Sequence, residues 1–174
     1  NRTELSHTLN IDRETLKTYL WYLEKTFIIK RINPFFSNIR KELTKMPVFY
    51  FTDIGLRNYN RNQFITPPDK TDGFLFQNFI YLLLNESKMF HNAKINYWRS
   101  KDGAEIDFIT HLGIDIIPME VKNTSLSAIE LNQSIHSFIA LYKPKKLYLV
   151  NKDLDTTFIS NGCEIIAMPF FKFL

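Results

Sequence analysis

The chain has 174 residues, 45% of them apolar and 15% aromatic, and a net charge of +4. That supplies material for one or two packed domains and excludes a disordered chain of low hydrophobicity. One cysteine, Cys163, excludes an internal disulfide framework and fits a reducing, cytoplasmic setting, while no apolar run reaches the length of a bilayer-spanning helix and no signal peptide opens the chain.

The first residue is not Met and sits within what reads as a helix, which predicts a piece of a longer protein. Residues 1–60 carry ten Lys/Arg against six Asp/Glu and hold the whole excess of positive charge; residues 61–174 carry twelve of each. A basic first third beside a neutral remainder points to an anionic partner for the first third.

Residues 4–10 read as a short helix with Leu5 and Leu9 on one face. Asp12 is a suitable N-cap for a second, longer helix over 13–26, whose predicted buried stripe is Leu16, Leu20, Leu23 and Phe27. Two helices joined by a tight turn, the second longer, form a helix-turn-helix pattern. Arg13, Lys17 and Trp21 fall off the stripe, where a recognition helix presents side chains to DNA. FIIKRINPFF and VFYFTD have strand composition, and the connection between them carries Arg40, Lys41 and Lys45, which suits the wing of a winged helix. Lys30 and Arg31 lie on the first strand, and with the wing they would meet a phosphate backbone. Winged helices also serve as protein-binding modules, and sequence leaves that alternative open.

Thr52 to Arg57 predicts a brief helix, and the polar stretch 59–72, with Pro67–Pro68, a linker. The expected division is therefore 1–66 and 67–174. A largely buried helix follows over 72–89, capped by Asp72, with Gln77 and Asn78 as polar breaks. Strands are expected over 94–100, 104–112 and 114–123, turning at Asp102-Gly103 and at Gly113. A helix over 125–141 and short strands over 146–150 and 164–168 complete an α/β sandwich with a mixed sheet. Trp98 and Cys163 read as core, and the four scattered histidines lack metal-ligand spacing.

The chemistry lies in YWRSKDGAEIDFITHLGIDIIPMEVKN, residues 97–123. Side chains at i and i+2 share a strand face, so Glu105 and Asp107 point together, as do Glu120 and Lys122. If the strands pair across Gly113, Asp107 and Glu120 converge. Such a face is either solvated surface or a site for Mg²⁺, which needs only one or two carboxylates; a neighbouring lysine would stabilise charge on a phosphate.

Residues 67–174 resemble the PD-(D/E)xK nuclease superfamily. More narrowly, LNIDRETLKTYLWYLEKTFIIKRINPFF, VFYFTDIGL, GFLFQNFIYLLL, YWRSKDGAEIDFI and IPMEVKN resemble, in order, the C-terminal part of a family of prokaryotic AAA+ ATPases. In that family a winged helix follows the ATPase module and a restriction-endonuclease-like domain of unassigned function ends the chain. The resemblance implies Asp107 and Glu120 as metal ligands, Lys122 as the catalytic lysine, DNA as partner, and possible Mg²⁺-dependent phosphodiester hydrolysis. Gln77 stands where the family pattern has a Glu, and Glu105 is a candidate to compensate. No GxxxxGK[ST] phosphate loop occurs in these residues, so an ATPase module would lie upstream in the full protein. The alternative is a catalytically inactive module for protein–protein interaction or for regulating the ATPase.

Overall fold

The computed structural model describes residues 2–35, 46–62, 73–90 and 93–173. The chain divides into two compact units, 1–64 and 65–174.

In the first unit, helices α1 (Arg2–Thr8) and α2 (Arg13–Lys25) are followed by strands β1 (Ile29–Ile32) and β2 (Val48–Phe51) and by helix α3 (Ile54–Asn60). Asp12 caps α2 as its sequence position predicts, accepting the Glu14 and Thr15 amides at 2.9 Å each. β1 and β2 pair antiparallel, Lys30 facing Tyr50 and Arg31 facing Phe49. Ile29, Ile32 and Tyr50 are buried beneath them. Asp53 caps α3 by accepting the Leu56 amide. That helix runs to Asn60, so the first residues of the expected linker are helical.

The predicted stripe of α2 needs correction. Leu16 is buried, but Leu23 is exposed and Phe27 is 80% exposed. For Phe27 the physical reason is backbone: it has φ +60° just beyond the helix end, and that left-handed step swings its side chain away from the stripe. Arg40, Lys41 and Lys45, the Pro67–Pro68 boundary and the Asp72 cap lie outside the described residues.

The second unit is built on six strands in the order β3-β4-β5-β6-β8-β7. Their ranges are β3 Ile95–Arg99, β4 Glu105–Leu112, β5 Asp115–Val121, β6 Lys146–Asn151, β7 Thr156–Ser160 and β8 Cys163–Pro169. β3, β4 and β5 form an antiparallel meander, β5–β6 and β6–β8 are parallel, and β7 returns antiparallel on β8. The turn glycines Gly103 and Gly113 both take positive φ, +87° and +60°, where glycine lacks the steric penalty of a Cβ. Helix α4 (Gly73–Glu86) packs on β5 and helix α5 (Gln133–Tyr142) on β4, giving the expected α/β sandwich with a mixed sheet.

The core is largely aromatic. Trp98 meets Phe138 of α5 edge-on at 5.2 Å, and Tyr81 of α4 stacks on Phe108 at 6.4 Å. Phe170, in a short 3-10 turn after β8, contacts Phe76 and Phe79. Cys163 is buried, and burial pushes its thiol up to about 11, consistent with a core side chain. Among the described residues no helix is long and apolar enough to cross a membrane.

One expectation for this unit, the helix over 125–141, is corrected. The segment 122–132 is a loop, and α5 begins only at Gln133, because Asn132 adopts extended backbone and accepts the Ile135 amide. Edge strand β7 is an addition to the expected sheet.

Candidate functional site

The β4–β5 ladder ends at the pair Phe108–Met119. One step further, the same register sets Asp107 opposite Glu120. Residues opposed across antiparallel strands share a face. Beyond Met119, β5 stays paired with β6, Glu120 beside Leu149 and Val121 beside Val150. The Val121 amide instead donates to Asp107 Oδ2 at 2.8 Å. The Asp107 carboxylate therefore takes the place of a strand carbonyl where two strands part.

Three side chains complete the cluster. Gln77 of α4 donates through Nε2 to Asp107 Oδ1 at 2.6 Å. Lys122 Nζ and Asn132 Nδ2 both donate to Glu120 Oε1, at 2.8 and 3.2 Å. Asn132 is thus engaged at both ends, since its own oxygen caps α5. Glu120 is only 7% exposed, so its charge depends on these partners. Burial, then the neighbouring Glu120 charge, pushes the Asp107 carboxyl up to about 7; the Val121 amide and Lys122 pull in the opposite direction.

The structure brings together Asp107, Glu120, Lys122 and Gln77. Glu105 is held elsewhere: its carboxylate pairs with Arg99 on β3, and its amide donates to Ser134 Oγ at 3.0 Å. Asn132 and the Val121 amide are additions. The sequence signal for Asn132 was its position as a good cap type three residues before Ile135.

The donor set suits a small, hard divalent cation. Mg²⁺ favours oxygen ligands and keeps several waters, so one buried and one half-buried carboxylate on adjacent strands fit it in kind and number. Among the described residues, no group of three His, Cys, Asp or Glu side chains comes together to hold a metal. Asp107 and Glu120 are the residues that would do so.

The basic side chains of the first unit are arranged differently. Arg13 and Lys17 are exposed on α2, Lys17 pairing with Glu14 at 3.3 Å. Lys30 is exposed on β1, while Arg31 pairs with Glu24 at 2.8 Å and lies over the Phe49 ring. Arg40 and Lys41 lie outside the described residues.

Comparison with known proteins adds family context. The chain is 26% identical over 136 residues to uncharacterized proteins of Mycobacterium bovis and Mycobacterium tuberculosis, a match covering 72% of this chain. It spans 29% of the length of those relatives. A solved half-complex from a tetradecameric assembly of Thermococcus gammatolerans McrB AAA+ hexamers with bound McrC is similar at 11% identity and a TM-score of 0.46. That match covers 56% of this chain and 27% of the other, a likeness too partial to fix a fold or a function. Residues 1–64 match the family described as "Domain of unknown function (DUF8612)". Residues 72–171, more than half the chain, match "Domain of unknown function (DUF4143)", and the chain belongs to that family.

Proposed function

We propose that the second unit is a PD-(D/E)xK nuclease-like domain acting on DNA, and that the first is a winged helix that delivers DNA to it. On this reading both are part of a longer AAA+ ATPase. One observation carries the proposal: Asp107 and Glu120 stand side by side where β4 and β5 part, with Lys122 on Glu120. Asp107 and Glu120 would hold Mg²⁺. The cation would supply a Lewis acid toward the phosphate oxygens and a bound, oriented water.

The protein's own groups do the rest. Gln77 and the Val121 amide fix both oxygens of Asp107, so the carboxylate is oriented before any cation arrives. Asn132 and Lys122 converge on one oxygen of Glu120 and so fix the direction of the other. Lys122 is the cation nearest the carboxylate pair and would release Glu120 to meet a phosphate oxygen. In the first unit, exposed Arg13, Lys17 and Lys30 would neutralise backbone phosphates.

A second reading is favoured by Gln77. Its amide donates where the resembling ATPase family has a Glu, and so offsets Asp107's charge without a cation. This reading makes the unit an inactive nuclease fold retained for protein interaction or for regulating the ATPase. The test incubates the full chain with Mg²⁺ or Mn²⁺ and plasmid, linear and branched DNA. Cleavage abolished by Asp107→Ala supports the first reading. No cleavage, or cleavage undiminished in that variant, rejects it in favour of the second.

A further inference from the structure

After Lys122 the chain leaves β5 and walls a recess of about 240 Å³ before α5 begins. The recess opens at Lys122, just past the end of β5, and its floor reaches Leu149 within the parallel neighbour β6. Its apolar surface comes from Leu126 and Ala128 over a floor closed by buried Leu149, its polar rim from Ser125, Ser127, Glu130 and Lys122.

The wall is built, not incidental. The Leu126 amide donates to Asp153 Oδ1 at 3.1 Å, which ties the loop to the turn after β6. That turn is fixed by Asn151, which is fully buried. Asn151 Oδ1 accepts the Asp153 and Leu154 amides at 2.9 and 2.6 Å, and Nδ2 donates to the Leu149, Leu154 and Met168 carbonyls. A buried amide satisfied at both ends makes a rigid, pre-organised frame. Here the frame positions the loop beside Lys122.

We infer that the recess receives one nucleoside unit of a nucleic-acid strand, its base against Leu126 and Ala128 and its phosphate toward Lys122. This rests on the nuclease-like reading above and names its substrate class. The volume lies below the roughly 300 Å³ at which pockets for drug-sized ligands begin. One base with its sugar fits that scale; a base pair does not. On this reading the nucleotide beside the reacting phosphate is unpaired, as at a strand end, a flap or an extruded base. Glu130, a pure acceptor when ionised, favours bases that present an amino group, cytosine over thymine.

The test titrates the full chain with dCMP, dTMP and inorganic phosphate, following binding by nuclear magnetic resonance. dCMP should bind at least tenfold tighter than phosphate. Ala128→Trp, which fills the recess from an exposed loop position, should weaken dCMP at least tenfold with an unchanged melting temperature. Ser125→Tyr, from another rim position, should act likewise and decides the matter if the first variant is unstable. Glu130→Gln should remove the preference for dCMP over dTMP. Equal binding of phosphate and dCMP, or dCMP binding indifferent to both filling variants, overturns the inference; a base preference unmoved by Glu130→Gln overturns the base assignment. If dCMP binds in the recess but no DNA is cut, the nuclease reading fails and the recess stands. If DNA is cut through Asp107 while the filled recess changes nothing, the recess fails and the nuclease reading stands.

Discussion

The two candidate surfaces, one in each unit, handle charge in opposite ways. In the first, Arg13, Lys17 and Lys30 stand in solvent, and the ion pair of Lys17 with Glu14 is exposed. Such pairs contribute little to stability, and their charges act at a distance as a field that salt screens. In the second, Glu120 is buried and Asp107 half-buried, and hydrogen bonds from Gln77, the Val121 amide, Lys122 and Asn132 hold both carboxylates. There a charge shifts proton affinity and depends on single contacts. The first arrangement suits loose, salt-sensitive attraction of a polyanion, the second chemistry at one atom.

The sharpest way to break this contrast is Gln77→Glu. It replaces the donor at the 2.6 Å contact with a second carboxylate. Like charges so placed cost several kcal/mol, enough to lower the melting temperature by roughly 10 °C at pH 8 without divalent ions. If the cluster is a cation site, millimolar Mg²⁺ should restore most of that loss. If the unit is an inactive module, the loss should persist with Mg²⁺. Thermal melts of both proteins with and without Mg²⁺ decide between the two.

Next in size is a pH effect. Asp107 is raised from 3.8 to about 7 in the folded chain, so the folded state holds a proton that the unfolded state releases. Stability is therefore highest below about pH 4 as far as this group is concerned. It falls as pH rises toward 7 and levels off above that. Each pKa unit is worth about 1.4 kcal/mol, which puts the fall on the order of a few kcal/mol. Urea unfolding from pH 4 to 8 should show this slope, and Asp107→Asn should flatten it. An equal slope in that variant would place the titration elsewhere.

Asn132 ties the site to α5 and gives a smaller effect. Asn132→Ala loses the cap and the Glu120 contact together, about 1 kcal/mol for the cap alone. Asn132→Ser keeps a capping oxygen but loses the amide that reaches Glu120. Urea unfolding should show most of the stability recovered in the Ser variant, while Mn²⁺ affinity measured by calorimetry stays about tenfold weaker in both, as removal of a ligand-orienting partner predicts. Full recovery of affinity in the Ser variant would show that Asn132 acts on α5 alone.

These residues also show what the sequence could disclose. The meander was legible because Asp102-Gly103 and Gly113 mark its turns and apolar residues fill its strands. The meeting of Asp107 with Glu120 followed from register once those turns were placed. β7 was not legible: TTFIS is a short, mostly exposed edge strand with little apolar pattern. Residues 125–132 carry a helical pattern in sequence because Leu126 and Ile129 continue the apolar spacing of α5, whereas the chain there obeys tertiary bonds to Asp153 and Asn132. The exposure of Phe27 was hidden because a positive φ at a bulky residue has no signature in composition. Gln77 could be located in sequence, yet its role as donor to Asp107 required α4 and β4 in place.

The smallest predicted effects belong to the first unit and separate its basic residues from one another. Arg31 already spends its charge on Glu24 and lies over Phe49, whereas Lys30, next in sequence, points to solvent on the other strand face. If this unit attracts DNA through its field, Lys30→Ala should lower the slope of log affinity against log salt by about 1 and weaken binding evenly across sequences. Arg31→Ala should leave that slope nearly unchanged and instead lower the melting temperature slightly, because it exposes Phe49 and leaves Glu24 without its partner. Fluorescence anisotropy at several salt concentrations measures both slopes. Equal slopes for the two variants would mean that position on the strand does not select the phosphate contacts. No DNA binding by the parent chain would leave the basic face to an acidic protein partner.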